Sequence, residues 1–512
     1  MLVTFLPWNL KLEVQAGDNL LQVASEAGID LNGVCAGNGT CGKCRVIISK
    51  GNDSAYTKHE IRILSEDELK RGMRLACCVT INHDICVLVD SQQKKILKQE
   101  VEDKPIVLRQ VASNSELGIA FDIGTTCVEG TLYDIQSKEV LCNIEVDNPQ
   151  RIYGADVISR LTYIHNKEDG LSKLHAHIID CCNDMIEQMI RKSQTNLDMV
   201  KTIAVAGNTT MSYVFAGEDI KPLMISPFQL EFKGGVIRKA KELGMECNPH
   251  TKVLLPKLIG GHVGSDTLGC ILETKVYEKK GIYLIVDVGT NGEIVLSNNG
   301  TMSACSTAAG PAFEGASILH GMKAVSGAIY EAALQNGRLT YKTIENARPK
   351  GICGSGLIDL VAELIRCHVI DETGRMLEDY IIASNPDGTN IRLVQKDIRE
   401  LQLAKAAIYT GIRVLLRNSN VKVEDLDGMY IAGSFGSHLN MKNAVKVGLF
   451  PDVVKERVQC IGNASLRGMS KLITREIEFD RANEIGESIT HIELANREEF
   501  TEEYMNWINF TK

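Results

Sequence analysis

The 512-residue sequence predicts a multidomain protein of mixed α+β and α/β type: a small cysteine-bearing N-terminal unit followed by a larger, duplicated, two-lobed α/β body. Three observations predict this. Residues 35–44 read CAGNGTCGKC, a C-x5-C-x2-C pattern on a glycine-rich loop. Two distant segments echo each other: Phe121–Tyr133 reads FDIGTTCVEGTLY and Val286–Leu296 reads VDVGTNGEIVL, which places Asp122 and Asp287 in equivalent positions. Between and beyond them, strand-like and helix-like segments alternate, as in layered α/β folds. The composition is that of a globular protein, 44% hydrophobic and 24% charged. A net charge of −9 offers no basic excess to neutralise phosphates, which argues against nucleic acid as a partner. No apolar run approaches the roughly 18 residues that span a bilayer. The opening MLVTFLPWNLKLEV has neither the basic start nor the small-residue cleavage site of a signal peptide. A cytoplasmic location is therefore expected. Sixteen cysteines then read as metal ligands and small buried residues rather than as disulfides, with the scattered Cys127, Cys142, Cys270, Cys367 and Cys460 assigned to the buried class.

Residues 1–90 form the first unit. Two short strands are expected around a Pro7–Trp8–Asn9 turn. Asp18 is placed as the cap of a short helix running through Ala27, closed by Gly28. The cysteine loop, a strand over Arg45–Ile48 and a β-rich stretch over Cys77–Val89 complete it. Residues 91–117 are polar, contain Pro105 and read as a linker. Residues 118–280 and 281–512 are the two lobes, the second ending in a strand and an amphipathic helix within His491–Phe510.

Cys35, Cys41 and Cys44 on one tight loop, with Cys77 of RLACC supplied from a distant strand end, suit a [2Fe–2S] cluster, whose thiolates converge on two irons. Gly37, Gly39 and Gly42 let the backbone wrap closely around such a core. The fourth ligand is open between Cys77 and its neighbour Cys78, with Cys86 more distant; the RLAC context favours Cys77. Zinc is the competing assignment, but zinc ribbons use two C-x2-C pairs. The same loop matches G-x-G-x-x-G and G-x-x-x-x-G-K, yet Cys44 stands where a P-loop needs Ser or Thr, and RVIIS reads as a strand rather than a helix. The x5 spacing resembles adrenodoxin-like ferredoxins of the β-grasp fold.

Asp122–Thr126 and Asp287–Gly292 each follow an apolar strand and turn through Gly and Thr. Glycine lets amides approach phosphate oxygens, threonine hydroxyls add donors, and the aspartate suits Mg²⁺ held through water. A third segment, Tyr430–Gly436 (YIAGSFG), resembles the adenosine loop of the actin/sugar-kinase/Hsp70 superfamily, and the order of the three loops matches that superfamily.

The whole chain resembles the ATP-dependent reductive activators of corrinoid proteins. The resemblance extends to AGNTTM (Ala206–Met211), GGHVGSDTLG (Gly260–Gly269), GPAFEGASILHGMKA (Gly310–Ala324) and GICGSGLIDL (Gly351–Leu360). It implies a ferredoxin domain, a linker and a two-lobed ATPase, often a homodimer. The implied activity is one-electron reduction of an inactive Co(II) corrinoid protein to Co(I), fed by a low-potential electron donor and serving a methyltransferase or O-demethylase system. On this resemblance Cys35, Cys41, Cys44 and Cys77 bind the cluster, and Asp122 and Asp287 organise Mg²⁺. Gly124, Thr125, Thr126, Gly289, Thr290, Asn291 and Gly292 cradle phosphates, and Gly433, Ser434, Phe435 and Gly436 meet adenosine. Asp156, Asp266 and Glu293 are candidates for the acid that activates water, each also readable as a surface or capping acid. Ser317 and Ile318 are candidates to face the corrinoid partner, against a plain reading as helix cap and packing. His262, His320 and His438 are read as structural. The competing functions are ATP-driven electron donation to another low-potential metalloenzyme, and a redox-regulated small-molecule kinase.

Overall fold

A computed structural model describes residues 1–510 apart from 32, 34–36, 38, 40, 52–53, 90–114, 226–227, 229, 336–337, 385–389, 434–437, 454 and 496. Cys35, Ser434, Phe435, Gly436 and nearly all of the linker lie outside the described residues.

The N-terminal unit is a five-stranded sheet. Its strands are β1 (Leu2–Leu6), β2 (Leu10–Glu13), β3 (Arg45–Lys50), β4 (Met73–Leu75) and β5 (Ile85–Leu88), in the order β2-β1-β5-β3-β4. β1 is antiparallel to β2 and parallel to β5, the mixed pairing of a β-grasp. Alternation in β1 buries Val3 and Phe5 against the helix Leu20–Glu26. The cap of that helix is Asn19, not Asp18: the Asn19 Oδ1 accepts the amides of Leu21 and Gln22, while Asp18 turns back to the amide of Gln15. Gly28 follows with φ +72°, as expected of a residue closing a helix. The helix Lys58–Ile63, whose Ile63 lies against Gly42, carries one member of a buried ion pair. Arg74 Nε donates to Glu60 Oε1 at 2.7 Å, and Glu60 also accepts the amides of Thr57 and Leu75, so the helix Lys58–Ile63 is fastened to β4. Burial pushes the Glu60 carboxyl up, but Arg74 and these amides outweigh it and hold the group below its ordinary range.

The body is duplicated. The first sheet contains β6 (Leu117–Ile123), β7 (Cys127–Asp134), β8 (Val140–Asp147), β9 (Val200–Gly207), β10 (Val236–Lys239) and β11 (Lys252–Leu255), ordered β10-β11-β9-β6-β7-β8. The second half starts with β12 (Ile282–Val288), β13 (Gly292–Asn298) and β14 (Thr301–Thr307). A three-stranded sheet follows, β15 (Ala328–Gln335), β16 (Arg338–Thr343) and β17 (Gly351–Ile352), then the hairpin β18 (Tyr380–Ser384) and β19 (Asn390–Leu393). β20 (Gly428–Ala432), β21 (Val458–Gly462) and β22 (Thr490–His491) complete the second large sheet, ordered β21-β20-β12-β13-β14-β22. Each large sheet holds an antiparallel meander whose first strand also pairs in parallel with a later strand, β9 or β20. The echo seen in the sequence is therefore a repeat of topology.

The layers follow from where apolar side chains can be buried. The helices Val157–Asn166, Gly170–Ser193 and Thr209–Ala216 cover the outer face of the first sheet. Gly354–Arg366, Gln395–Asn418 and Met441–Val447 cover that of the second. Between the sheets lie the equivalent helices Ser265–Thr274 and Ala464–Ile473, sharing one core with Ala120, Ala204, Ile285, Val295 and Ala432. Glycines permit their close approach: a Cβ on Gly468 would stand 2.0 Å from the Gly269 carbonyl oxygen. A helix from the far end of the chain thus reaches the first lobe's sheet. Among the described residues, no helix is long and apolar enough to cross a membrane.

Candidate functional site

The thiol site sits at the edge of the N-terminal sheet. β3 and β4 pair Arg45 with Leu75, and Ala76 N donates to the Cys44 carbonyl at 2.8 Å. That register brings Cys44 Sγ and Cys77 Sγ to 3.4 Å, with Cys78 Sγ 3.8 Å from Cys77. Cys77 and Cys78 lie on a short 3-10 turn, Ala76–Cys78, not on a strand, so strand alternation does not choose between them. The Cys44 sulfur pushes the Cys77 thiol far above its ordinary value, helped by burial and by Cys78. Sulfurs crowded this way ionise together only with cations between them, which is the chemistry an iron–sulfur cluster satisfies. The loop is built for close wrapping: Gly39 and Gly42 have φ +67° and +69°, and a Cβ on Gly42 would lie 2.4 Å from Ile63 Cγ2. Among the described residues, which exclude Cys35, no three cysteines stand close enough to hold an ion by themselves; the Cys44–Cys77 pair fits two of the donors of a [2Fe–2S] cluster, which would supply a one-electron store. Of the scattered cysteines, Cys142 and Cys270 are buried as expected, but Cys367 and Cys460 are exposed and Cys127 lines the cleft described next.

The second site is a cleft of about 590 Å³ between the lobes. Asp122 and Asp287 end equivalent strands, and each faces a glutamate across its hairpin: Asp122 pairs with Glu129 in register, and Asp287 with Glu293. The first phosphate loop is held from below. Asn148 Nδ2 donates to the Gly124 carbonyl at 2.8 Å, Asn208 Nδ2 to Thr125 Oγ1 at 3.0 Å, and the buried Arg160 guanidinium to the Thr125 carbonyl. Asn463 and Ser465, at the start of the helix Ala464–Ile473, donate to Asp122 at 2.9 and 3.1 Å, and Asn463 also bonds Glu129. Gly433 has φ +89°, and a Cβ there would stand 2.7 Å from the Val288 carbonyl oxygen, so glycine is what fits at this position against the second phosphate loop.

Buried acids crowd the cleft and perturb one another. Burial, then repulsion from Asp266, raises Asp122 to about 7; burial and Asp287 raise Asp266 to about 7; burial and Asp122 raise Asp287 to about 6. Glu293 is pushed well above its ordinary range by burial, Asp266 and Asp287. Four acids held up by one another attract a divalent cation. Among the described residues no three such side chains converge to ligate an ion by themselves. Magnesium there would be held through water and phosphate oxygens, as it commonly is.

The cleft lining includes Asp122, Gly124, Thr125, Thr126, Asp266, Asp287, Gly289, Thr290, Asn291, Glu293 and Gly433. Gly292, the first residue of β13, lies behind the second loop, where a Cβ would meet Thr307 Oγ1 at 2.8 Å. Asp156 is spent elsewhere. Its carboxylate caps the helix Val157–Asn166, accepting the Ser159 amide at 2.7 Å, and it is not part of the cleft lining. Gly310–Ala324 is a turn-rich loop rather than a capped helix. Ile318 is 1% exposed and so presents no side chain to a partner, whereas Ser317 borders a cavity of about 820 Å³ shared with Cys41 and Lys43. His262 packs edge-on against Phe228, and burial holds it and His320 below their ordinary pKa; His438 lines the cleft beside Tyr330. Glu129, Asn208, Glu314, Asn463 and Ser465 were not among the residues expected from the sequence. The position of Glu129 after Asp122 echoes that of Glu293 after Asp287 and offered a signal; the others come from distant segments.

Comparison with known proteins agrees with this layout. Residues 5–82 match the model of a 2Fe-2S iron-sulfur cluster binding domain, 117–279 the RACo middle region, and 281–512 the C-terminal domain of RACo, the ASKHA domain. The chain is 30% identical to the corrinoid activation enzyme RamQ of Eubacterium limosum, covering 97% of this chain and 96% of that one. It is 26% identical to the [Co(II) methylated amine-specific corrinoid protein] reductase of Methanosarcina barkeri over 76% of each chain. A solved structure of a reductive activator for a corrinoid, iron–sulfur protein superposes with a TM-score of 0.72 at 28% identity, covering 99% of this chain and 98% of that one. With a thiol site, a duplicated acidic cleft and end-to-end similarity to such proteins, the chain belongs to the RACo-type family of corrinoid-protein activators.

Proposed function

We infer that this protein is an ATP-hydrolysing iron–sulfur reductase that returns an inactive Co(II) corrinoid protein to Co(I). One electron from a low-potential donor reduces the cobalt, and ATP and water become ADP and phosphate. The observation that carries the reading is the presence, in one chain similar throughout to corrinoid activators, of a thiol site suited to one-electron storage and a cleft suited to Mg-ATP. Co(I) is a strong reductant, so its formation from an ordinary donor runs uphill. A nucleotide shifts such a balance only through different affinities for two states of the protein.

In this reading Cys35, Cys41, Cys44 and Cys77 hold the cluster. Asp122 and Asp287 orient Mg²⁺ through water, and the two Gly–Thr turns bind phosphates. Asp266 and Glu293 stand near enough to the same acids to position a water, supported by their shared repulsion. The assigned units are a ferredoxin domain at 1–90, a linker at 91–117 and lobes at 118–280 and 281–512. The helix Ala464–Ile473 completes the first lobe's site from within the second segment. A cytoplasmic, homodimeric protein acting on a corrinoid protein of a methyl-transfer system is the setting proposed.

The test is anaerobic optical spectroscopy of a Co(II) corrinoid protein mixed with the cluster-loaded chain and a low-potential reductant, with and without Mg-ATP. Growth of a Co(I) band only with nucleotide supports the function. Steady ATP consumption with no Co(I), across corrinoid partners from the same organism, sinks it.

A further inference from the structure

The loop Gly310–Ala324 joins the two sites. At one end Glu314 reaches into the cleft and bridges both phosphate loops: Thr290 Oγ1 donates to Glu314 Oε1 at 2.7 Å, and Thr126 Oγ1 donates to Oε2. Those hydroxyls belong to the loops read as phosphate-binding, so the carboxylate takes the donors an anionic phosphate would use. At the other end, the Ile318 carbonyl accepts Lys43 Nζ at 2.8 Å. Lys43 lies between Cys41 and Cys44 in the cysteine loop.

The stretch between these ends is pinched into one block. Gly315 has φ +79°, and a Cβ there would stand 2.4 Å from Met322 N; a Cβ on Gly321 would stand 2.1 Å from the Gly315 carbonyl oxygen. Asp397 Oδ1 accepts the Leu319 amide at 2.8 Å, and Ile352 exchanges backbone bonds with His320 and Met322. Close-packed elements shift between discrete arrangements rather than deforming continuously. Displacement of Glu314 therefore moves Ile318.

We propose that Glu314 senses nucleotide at the two phosphate loops and that Ile318 and Lys43 transmit its displacement to the cysteine loop. Nucleotide phosphates compete with the Glu314 carboxylate for the Thr126 and Thr290 hydroxyls and repel it. The block then shifts, and the Lys43 tether changes the exposure and orientation of the cysteine loop. Glu314 and Lys43 act as positioning residues, through other groups. This coupling rests on the reading of the cleft as an ATP site.

The experiment uses the cluster-loaded full chain with Mg-AMP-PNP as probe. Binding is measured by calorimetry. The response is read by amide hydrogen exchange over residues 41–50 and by visible circular dichroism of the cluster. The wild type is expected to bind and to change its exchange rate over 41–50 at least about twofold. Lys43→Met is expected to bind as the wild type does and to show no such change. Glu314→Gln removes the competing charge: it is expected to bind AMP-PNP several-fold more tightly and, without nucleotide, to exchange over 41–50 as the liganded wild type does. Binding by the wild type with no response at the cysteine loop, or a response that survives in Lys43→Met, overturns the relay while leaving the ATP site intact. Failure of the wild type to bind AMP-PNP overturns both.

Discussion

Gly468→Ala tests whether the last third of the chain builds the nucleotide site. A Cβ at this position stands 2.0 Å from the Gly269 carbonyl oxygen and 2.5 Å from Gly269 Cα, both backbone atoms. Ordinary carbon contacts begin near about 3.5 Å, so the helices Ser265–Thr274 and Ala464–Ile473 must part by roughly 1.5 Å. Overpacking of this kind costs about 1–3 kcal/mol. The displaced helix carries Asn463 and Ser465, whose bonds to Asp122 are 2.9 and 3.1 Å long. An ångström-scale shift takes both beyond bonding range. A hydrogen bond to a charged group is worth about 1.5–3 kcal/mol, and about 1.4 kcal/mol is tenfold in affinity. Mg-AMP-PNP binding is therefore expected to weaken at least about tenfold, with a lowered unfolding temperature. Cluster absorbance should be unchanged, because the ferredoxin fold is complete by Val89. Calorimetry and thermal unfolding check this. Wild-type affinity at wild-type stability would show that the contact carries no strain to the site.

Three further outcomes are expected. Arg74→Met leaves Glu60 buried without its ion-pair partner on the helix that packs on Gly42, which costs about 3–5 kcal/mol; the variant should lose cluster absorbance on mild heating, while Mg-AMP-PNP binding persists. Cys77→Ser should abolish the cluster's visible spectrum and Cys78→Ser should retain it; the reverse pattern would make Cys78 the fourth ligand. The acids of the cleft give a pH dependence of known sign. Asp122 and Asp266 at about 7 and Asp287 at about 6 bind protons more tightly in the folded than in the unfolded chain. Their contribution to the nucleotide-free fold is full below the ordinary carboxylate range and is lost as pH rises through 6–7. Magnesium needs these groups charged, so Mg-AMP-PNP affinity should rise between about pH 5.5 and 7.5, with net proton release near pH 6 and little near pH 8.5, read by calorimetry in two buffers.

The sequence disclosed whatever is local. Asp122 and Asp287 end strands with the same following turn, and a duplicated turn is visible without a structure. The cysteine loop was legible because three of the four cysteines proposed as ligands, with the glycines among them, lie within ten residues. Sites assembled from distant segments were not. Asn463 and Ser465 meet Asp122 across more than three hundred residues, and nothing in their own segment marks them. Glu314 sits in a motif that was noticed, but its bond to Thr126 exists only because the lobes face each other, and that to Thr290 only because the loop folds back within its own lobe. Local competition explains the smaller errors. Asp18 and Asn19 are both capping residues, and the side chain that met the first-turn amides was Asn19. Asp156 read as a candidate acid because composition does not separate a capping carboxylate from a catalytic one. Exposure of Cys367 and Cys460 depended on where a helix ended and which strand took the sheet edge, both tertiary outcomes.

In the proposed mechanism one chain ties nucleotide chemistry in the Asp122 cleft to electron delivery from the cysteine loop. The most direct measurement is Co(I) formation on a Co(II) corrinoid protein, followed optically without oxygen, for the wild type, Asp122→Asn, Cys41→Ser and an equimolar mixture of the two variants. Co(I) is expected with the wild type and Mg-ATP, and none with either variant, although Asp122→Asn keeps the cluster spectrum and Cys41→Ser keeps AMP-PNP binding. The mixture should also stay inactive, because both sites must lie in one chain. Co(I) formation by Asp122→Asn at the wild-type rate, or full recovery in the mixture, would contradict it.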